Sequence, residues 1–306
     1  MFEITFLGTS ASAPSPRRNL PSYLVQHDEY RFLVDCGEGT QRQILQSGVG
    51  FKRLNRILIT HGHLDHILGL GGLLSTFMRW ESIDSLEIYG GKSALERIND
   101  LLNSVVLRGA TAPMPVSLIP IKKGVFFEGP DFTVSAFPVQ HRGPDCLGYL
   151  FEEKSRRPFL PEKAAELGLT PGPQFGKLAD GQTVVLDDGR SITPEMVMGE
   201  VRRGTRLAAL GDLGETESLV ELLHGVDGLV IESTYLDEES AMARQFGHLT
   251  AKQAAEFAAK IQAGKMMITH LSRRYRDKDV AAEARSIFPE AVVARDFDTF
   301  TIKREE

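Results

Sequence analysis

Cysteine is nearly absent from this chain: Cys36 and Cys146 are the only two, and they do not form a C-x-x-C pair. That excludes a disulfide framework and a cysteine-built zinc site. Both read as small buried thiols in a reducing cytoplasm. Long apolar runs are missing as well. The longest, around Ile67 to Leu74, is far short of the roughly 20 residues a bilayer span needs, so no membrane partner is expected. No basic segment precedes the alternating run Phe2-Glu3-Ile4-Thr5-Phe6-Leu7, so no signal peptide is expected either. Nor is there an excess of positive charge. A formal charge of −6 argues against a protein that coats nucleic acid nonspecifically. It leaves room for a nuclease whose phosphate contacts are local and whose metal ions carry the positive charge.

What is present is the composition of an ordinary globular protein, 42% hydrophobic and 25% charged over 306 residues, a length normal for one large α/β sandwich or barrel. The first third reads as strands at Ser22 to Gln26 and Arg31 to Val34, then a helix over Glu38 to Gln46. After a histidine-rich loop, Ile67 to Trp80 has the length of a helix and is apolar on most faces, which predicts burial. Strand Leu86 to Tyr89, helix Ala94 to Leu107 and strand Phe132 to Val139 follow. The last third repeats the rhythm, with strands at Leu207 to Leu210, Leu229 to Glu232 and Met266 to Thr269. Helices are expected over Thr216 to His224, Ala251 to Ala263 and Lys278 to Ser286. Between Phe151 and Arg203 the pattern breaks. Five prolines and interleaved glycines leave only a helical patch around Glu162 to Leu167, and Pro171-Gly172-Pro173 fixes a bend. So irregular a stretch is a substrate-contacting insertion or a surface excursion.

The chemistry concentrates in histidine. His61-Gly62-His63-Leu64-Asp65-His66 follows the apolar run Ile57-Leu58-Ile59-Thr60, which places the loop at the end of a buried strand. Four candidate ligands in six residues suit a pair of divalent metals. Residues two apart in an extended loop point the same way, so His61 and His63 can grip one ion, while Asp65 and His66 reach a second. Mixed imidazole and carboxylate donors suit zinc or manganese better than calcium. Two ions need more donors, and His141, Asp212 and His270 each lie just past a predicted strand, where α/β proteins carry their sites. Asp212 is the natural bridge, since one carboxylate can give an oxygen to each ion.

The H-x-H-x-D-H loop resembles that of the metallo-β-lactamase superfamily, and further stretches resemble its tRNA 3′-processing endoribonucleases, the ribonuclease Z family. They are Leu7-Gly8-Thr9-Ser10-Ala11 with Pro14 and Arg18-Asn19, Asp35-Cys36-Gly37-Glu38-Gly39-Thr40-Gln41, Pro171-Gly172-Pro173, Glu232-Ser233-Thr234-Tyr235, Gly247-His248-Leu249-Thr250-Ala251 and His270-Leu271-Ser272-Arg273-Arg274-Tyr275. The resemblance implies an α/β fold: a four-layer αββα sandwich spanning residues 1–306 as one domain, with a protruding flexible arm inserted at 151–203. It implies two zinc ions per subunit, or manganese, one held by His61, His63 and His141, the other by Asp65, His66 and His270, with Asp212 between. Asp65 would accept the proton of the attacking water, and His248 with Glu232 would assist the leaving group. Asp35 orients a ligand histidine. Arg18, Arg273 and the Pro171-Gly172-Pro173 tip would meet the substrate. The implied substrate is precursor tRNA, cut to leave a 3′-hydroxyl on the tRNA and a 5′-phosphate on the trailer, by a homodimer. Two departures bear on that substrate. Leu249 stands where many relatives have a small hydroxyl residue, and the arm carries eight Lys/Arg against nine Asp/Glu, so it is not a basic patch. The alternative is a phosphodiesterase or sulfatase of the same superfamily acting on a small ester.

Overall fold

The computed structural model describes residues 1–80 and 83–304, and divides by its internal contacts into a larger unit, Met1–Glu152 with Thr205–Glu306, and a smaller one, Glu153–Gly204. The larger unit is built on two seven-stranded sheets. The first holds β1 (Phe2–Gly8), β2 (Ser22–His27), β3 (Tyr30–Val34), β4 (Arg56–Leu58), β5 (Leu86–Gly90), β6 (Val116–Pro120) and the last strand, β16 (Thr299–Ile302). Its order is β16-β1-β2-β3-β4-β5-β6, antiparallel up to β3 and parallel from there on. The second holds β7 (Gly124–Glu128), β8 (Phe132–Pro138), β9 (Leu147–Glu153), β12 (Arg206–Ala209), β13 (Gly228–Glu232), β14 (Lys265–Thr269) and β15 (Val292–Val293). Here β12 to β15 run parallel and β9 lies antiparallel to β12.

The parallel strands are apolar on both faces, as strands covered on both sides must be. In β13, Val230 enters the layer between the sheets while Leu229 and Ile231 face helices; Met267 and its neighbours Met266 and Ile268 divide the same way in β14. Around β4, Leu58 points between the sheets, and Ile57 and Ile59 point to the helices on the other side. Three apolar layers therefore separate four layers of structure, the αββα arrangement. Tyr149 and Phe151 of β9 are among its largest wholly buried side chains. The outer helices include Thr40–Ser47, Gly69–Trp80 and Ala251–Lys260; the last opens on Thr250, whose side chain accepts from Gln253 N in a capping box.

Several elements depart from the sequence reading. Helix Ala94 to Leu107 is an α-helix over Lys92–Asn99 that continues as a π-helix over Asp100–Leu107. The apolar helix begins at Gly69, after a separate turn at Leu64–Ile67, and buries one face while Trp80 at its end stays 55% exposed. Strands β6, β9, β15 and β16 fall outside the elements the sequence predicts; β16 alternates, Thr299-Phe300-Thr301-Ile302, but is only four residues long. The insertion starts later than Phe151, because that residue is fully buried and pairs with Leu207 across the sheet.

The smaller unit is also more ordered than its composition predicts. It contains helices Pro161–Glu166, Pro173–Ala179 and Pro194–Val197 and a ribbon of β10 (Val184–Val185) and β11 (Ser191–Ile192). Ala164, Leu169, Leu178, Val184, Ile192 and Val197 form its own small core. Three of the five prolines that read as breakers, Pro161, Pro173 and Pro194, are helix starts. Each stands at the first helical position, where proline's fixed φ is already helical and its missing N–H is not needed.

Candidate metal centre

The histidine loop is held down before any metal is considered. Asp35 leaves β3 through left-handed backbone (φ 57°), and its carboxylate accepts from Thr60 N and Thr60 Oγ1, both at 2.8 Å. Cys36 N donates to His66 O at 2.8 Å, and Gly69 N returns a bond to Cys36 O at 2.9 Å. Gly69 has to be glycine: a Cβ there would sit 2.0 Å from Gly37 O. Gly211 meets the same limit, its Cβ falling 2.5 Å from Thr60 Oγ1, so only glycine lets the Asp212 loop close on the histidine loop. On the other sheet His270 leaves β14 through left-handed backbone (φ 56°), a conformation costing about 1–3 kcal/mol that neighbouring contacts must offset. Leu271 supplies two of those contacts, donating to Thr9 O and accepting from Ala11 N, each at 2.9 Å.

These strand ends bring the candidates into two adjoining groups, His61/His63/His141/Asp212 and Asp65/His66/His270. Asp212 lies between them. Its Oδ2 is 3.7 Å from His61 Nε2 and 3.8 Å from His141 Nε2, while its Oδ1 is 3.3 Å from His270 Nε2 and 3.5 Å from His66 Nε2. Asp65 Oδ2 stands 3.7 Å from both His66 Nε2 and His270 Nε2. His141 Nε2 and His63 Nδ1 are 3.3 Å apart, the separation two nitrogens have when both bind one tetrahedral zinc at about 2.0–2.1 Å.

Nε2 of His61, His66 and His270 and Oδ1 of Asp212 are buried without a hydrogen-bond partner. An unsatisfied buried polar atom costs about 1–3 kcal/mol, so such atoms converging on one place need an occupant. The donor set fits a divalent metal of the zinc or manganese type. Burial, ahead of repulsion between the imidazoles, holds His61, His63 and His141 below the ordinary histidine value, which keeps them in the neutral form that binds metal. Burial opposes charge on Asp65 and Asp212, yet the surrounding histidines outweigh it and hold both carboxyls well below the usual range. Asp65 also accepts the backbone N–H of Ser12 at 3.0 Å.

His248 stands beside the two groups, its Nδ1 3.8 Å from Asp212 Oδ2 and donating to Glu232 Oε1 at 2.8 Å. Glu232 is almost wholly buried and also accepts from Leu213 N, Thr234 N, Thr234 Oγ1 and Leu249 N. Burial lowers the affinity of His248 for a proton, but the charge and hydrogen bond of Glu232 outweigh it and push the pKa up to about 9. His248 is therefore an imidazolium at neutral pH, able to give a proton. Leu249, the departure in its motif, is a buried core residue.

The expected substrate contacts divide. Arg18 is partly buried and lines the same cavity as Arg273; its guanidinium contacts Thr9 Oγ1, donates to Ala294 O at 2.6 Å and pairs with Asp277 at 2.8 Å. Arg273 is exposed, and with Arg17, Ser272 and Lys278 it helps line a cavity of about 470 Å³ next to His270. Pro171, Gly172 and Pro173 lie at the start of helix Pro173–Ala179 in the smaller unit. His27 lies apart from the centre, packed against Phe2 and Phe132 and bonded to Met1 O and Asp131. Two functional neighbours escaped the sequence reading. Thr60 precedes the first histidine and Thr234 follows Glu232 by two, and each hydroxyl reaches a histidine of the centre. A hydroxyl beside a ligand was the available signal.

Comparison with known proteins agrees with this geometry. Residues 2–155 match the family described as Anti-Pycsar protein Apyc1, and residues 186–271 match the Beta-lactamase superfamily domain. The chain is 46% identical to ribonuclease Z of Bradyrhizobium diazoefficiens over 99% of its own length and 100% of that protein. It is 37% identical to ribonuclease BN of Escherichia coli O81, covering 98% of this chain and 100% of that one. Among solved structures it is similar to the short form of human tRNase Z, with a TM-score of 0.69 and 25% identity, covering 98% and 99% of the two chains. The two-sheet sandwich is the metallo-β-lactamase fold.

Proposed function

The chain belongs to the ribonuclease Z family, and on that footing we propose how its centre cuts RNA. It is a metal-dependent endoribonuclease that processes the 3′ ends of tRNA precursors. The finer reading is that two zinc ions per subunit, or manganese, are held by His61, His63 and His141 on one side and by Asp65, His66 and His270 on the other, with Asp212 shared. The observation that carries this is the placement of Asp212, one oxygen toward each histidine group.

When bound, divalent metal there supplies Lewis-acid polarisation of the phosphate and lowers the pKa of water. The chain's own groups then handle the protons. Asp65, kept ionised by its histidine neighbours, accepts the proton of the attacking water. The water oxygen bonds to phosphorus as the P–O3′ bond breaks. His248 delivers its proton to the departing ribose 3′-oxygen, and Glu232 holds it charged and oriented for that step. The products are a tRNA with a 3′-hydroxyl and a trailer with a 5′-phosphate. The arm, Arg273 and the cavity beside His270 are the substrate-facing parts of this reading, and the working form is a cytoplasmic homodimer.

The test is incubation with a trailer-bearing precursor tRNA, with Asp212→Ala and His248→Ala as controls and both product ends mapped. Cleavage leaving a 3′-hydroxyl supports the reading. Intact RNA at high enzyme, beside brisk turnover of bis(p-nitrophenyl) phosphate, moves the function to a small ester.

A further inference from the structure

We propose that Thr60 and Thr234 are paired positioning residues, one for each metal position, whose hydroxyls fix the metal-facing nitrogens of His61 and His270. This rests on the reading of those histidines as ligands. Thr60 Oγ1 is 2.8 Å from Asp35 Oδ2 and 3.0 Å from His61 Nδ1. Thr234 Oγ1 is 2.7 Å from Glu232 Oε2 and 2.9 Å from His270 Nδ1. A hydroxyl has one proton, and an ionised carboxylate can only accept. Each threonine therefore donates to its carboxylate, and its remaining lone pair accepts from the histidine. Nδ1 must then carry the ring proton, which leaves the Nε2 lone pair facing the cavity, where both Nε2 atoms lie buried and unpaired. The Thr234 proton goes to the carboxylate at 2.7 Å rather than to His270 O at 3.2 Å, because charge assistance makes the shorter bond the stronger.

The two arrangements match part for part. In each, one buried carboxylate at a strand end binds one histidine directly and a second through a threonine: Asp35 with His66 and, through Thr60, His61; Glu232 with His248 and, through Thr234, His270. Neither carboxylate depends on its threonine hydroxyl alone. Asp35 keeps the Thr60 N–H, and Glu232 keeps three backbone N–H donors. Replacing a threonine by isosteric valine should thus spare the fold while removing the acceptor that sets the tautomer.

Metal-free full-length protein is titrated with zinc by calorimetry and equilibrium dialysis, for the wild type, Thr60→Val, Thr234→Val and the two serine variants. Each valine variant is expected to weaken one of the two binding steps by about 10- to 100-fold. Serine, which keeps both the donor and the acceptor, should restore it. The thermal midpoint of each metal-free variant should stay at the wild-type value. Unchanged isotherms in both valine variants overturn the proposal, as does a loss that serine fails to rescue. Fewer than two bound zinc ions in the wild type overturns the ligand reading instead, so the two failures are distinguishable.

Discussion

The two sides of the centre are built alike and do different work. On the β3–β4 side, the histidine bonded directly to the carboxylate is His66, fully buried with its Nε2 turned to Asp212 and Asp65. On the β13–β14 side it is His248, whose side chain keeps 12% of its surface exposed. Against burial, neighbouring carboxylates raise the proton affinity of both rings, Asp212 and Asp35 at His66 and Glu232 at His248. What separates the two is the company of the ring. His66 Nε2 faces Asp65 and Asp212 in the proposed cation site, where a bound metal would displace its proton, whereas His248 stands at the edge, where it would keep its own. A carboxylate–histidine pair is a part whose task is set by what lies beyond the far nitrogen.

Breaking the element both sides share should have the largest effect. In Asp212→Ala, precursor cleavage is expected to fall below detection and zinc content to drop under two per chain, checked by single-turnover assay and metal analysis. Removing only the acid comes next. His248→Ala should lose about 10²- to 10⁴-fold in the cleavage step while retaining its metal, which separates it from the ligand histidines. Asp35→Ala, on the opposite side, should lower zinc affinity by about 10- to 100-fold, measured by competition with a chelator. The pH profile sharpens the contrast further. His248 is protonated below its pKa, so activity is present at neutral pH and is lost as pH rises through about 9. Glu232→Gln removes the charge that raises this value, and the alkaline limb should move to lower pH. The smallest effect is expected at Arg97, whose exposed Nη1 donates to Gly62 O in the histidine loop at 2.8 Å. Arg97→Ala should cost less than about tenfold, as a bond worth about 0.5–1.5 kcal/mol allows.

The sequence disclosed the centre better than its surroundings, for physical reasons. Metal ligands must be histidine or carboxylate and favour strand ends, so His61, His63, Asp65, His66, His141, Asp212 and His270 could be picked out as candidates, and the fold brings them into two adjoining groups. Buried parallel strands such as β13 and β14 must be apolar on both faces, so they could be picked out too. Short edge strands such as β15, with two residues, leave no period to detect. Arg18 could be picked out because arginine is chosen for anions, but the sequence could not show that Asp277 pairs with it in the folded chain. The insertion misled most. Proline at the first turn of a helix and proline in a disordered loop are the same letter, and only the small core at Leu169, Leu178 and Ile192 tells them apart.

Asp212 reaches across to candidate ligands from both sheets, and one of them, His270, comes late in the chain. On the proposed ligand set, the site of His61, His63, His141 and Asp212 is complete once residue 212 is made, whereas the site that includes His270 waits for almost the entire polypeptide. Copies that end before His270 would lack that second site, and loading the finished chain would join its two sheets into a single cooperative body. Stripping the ions with a chelator should accordingly loosen the sandwich as a whole rather than one loop.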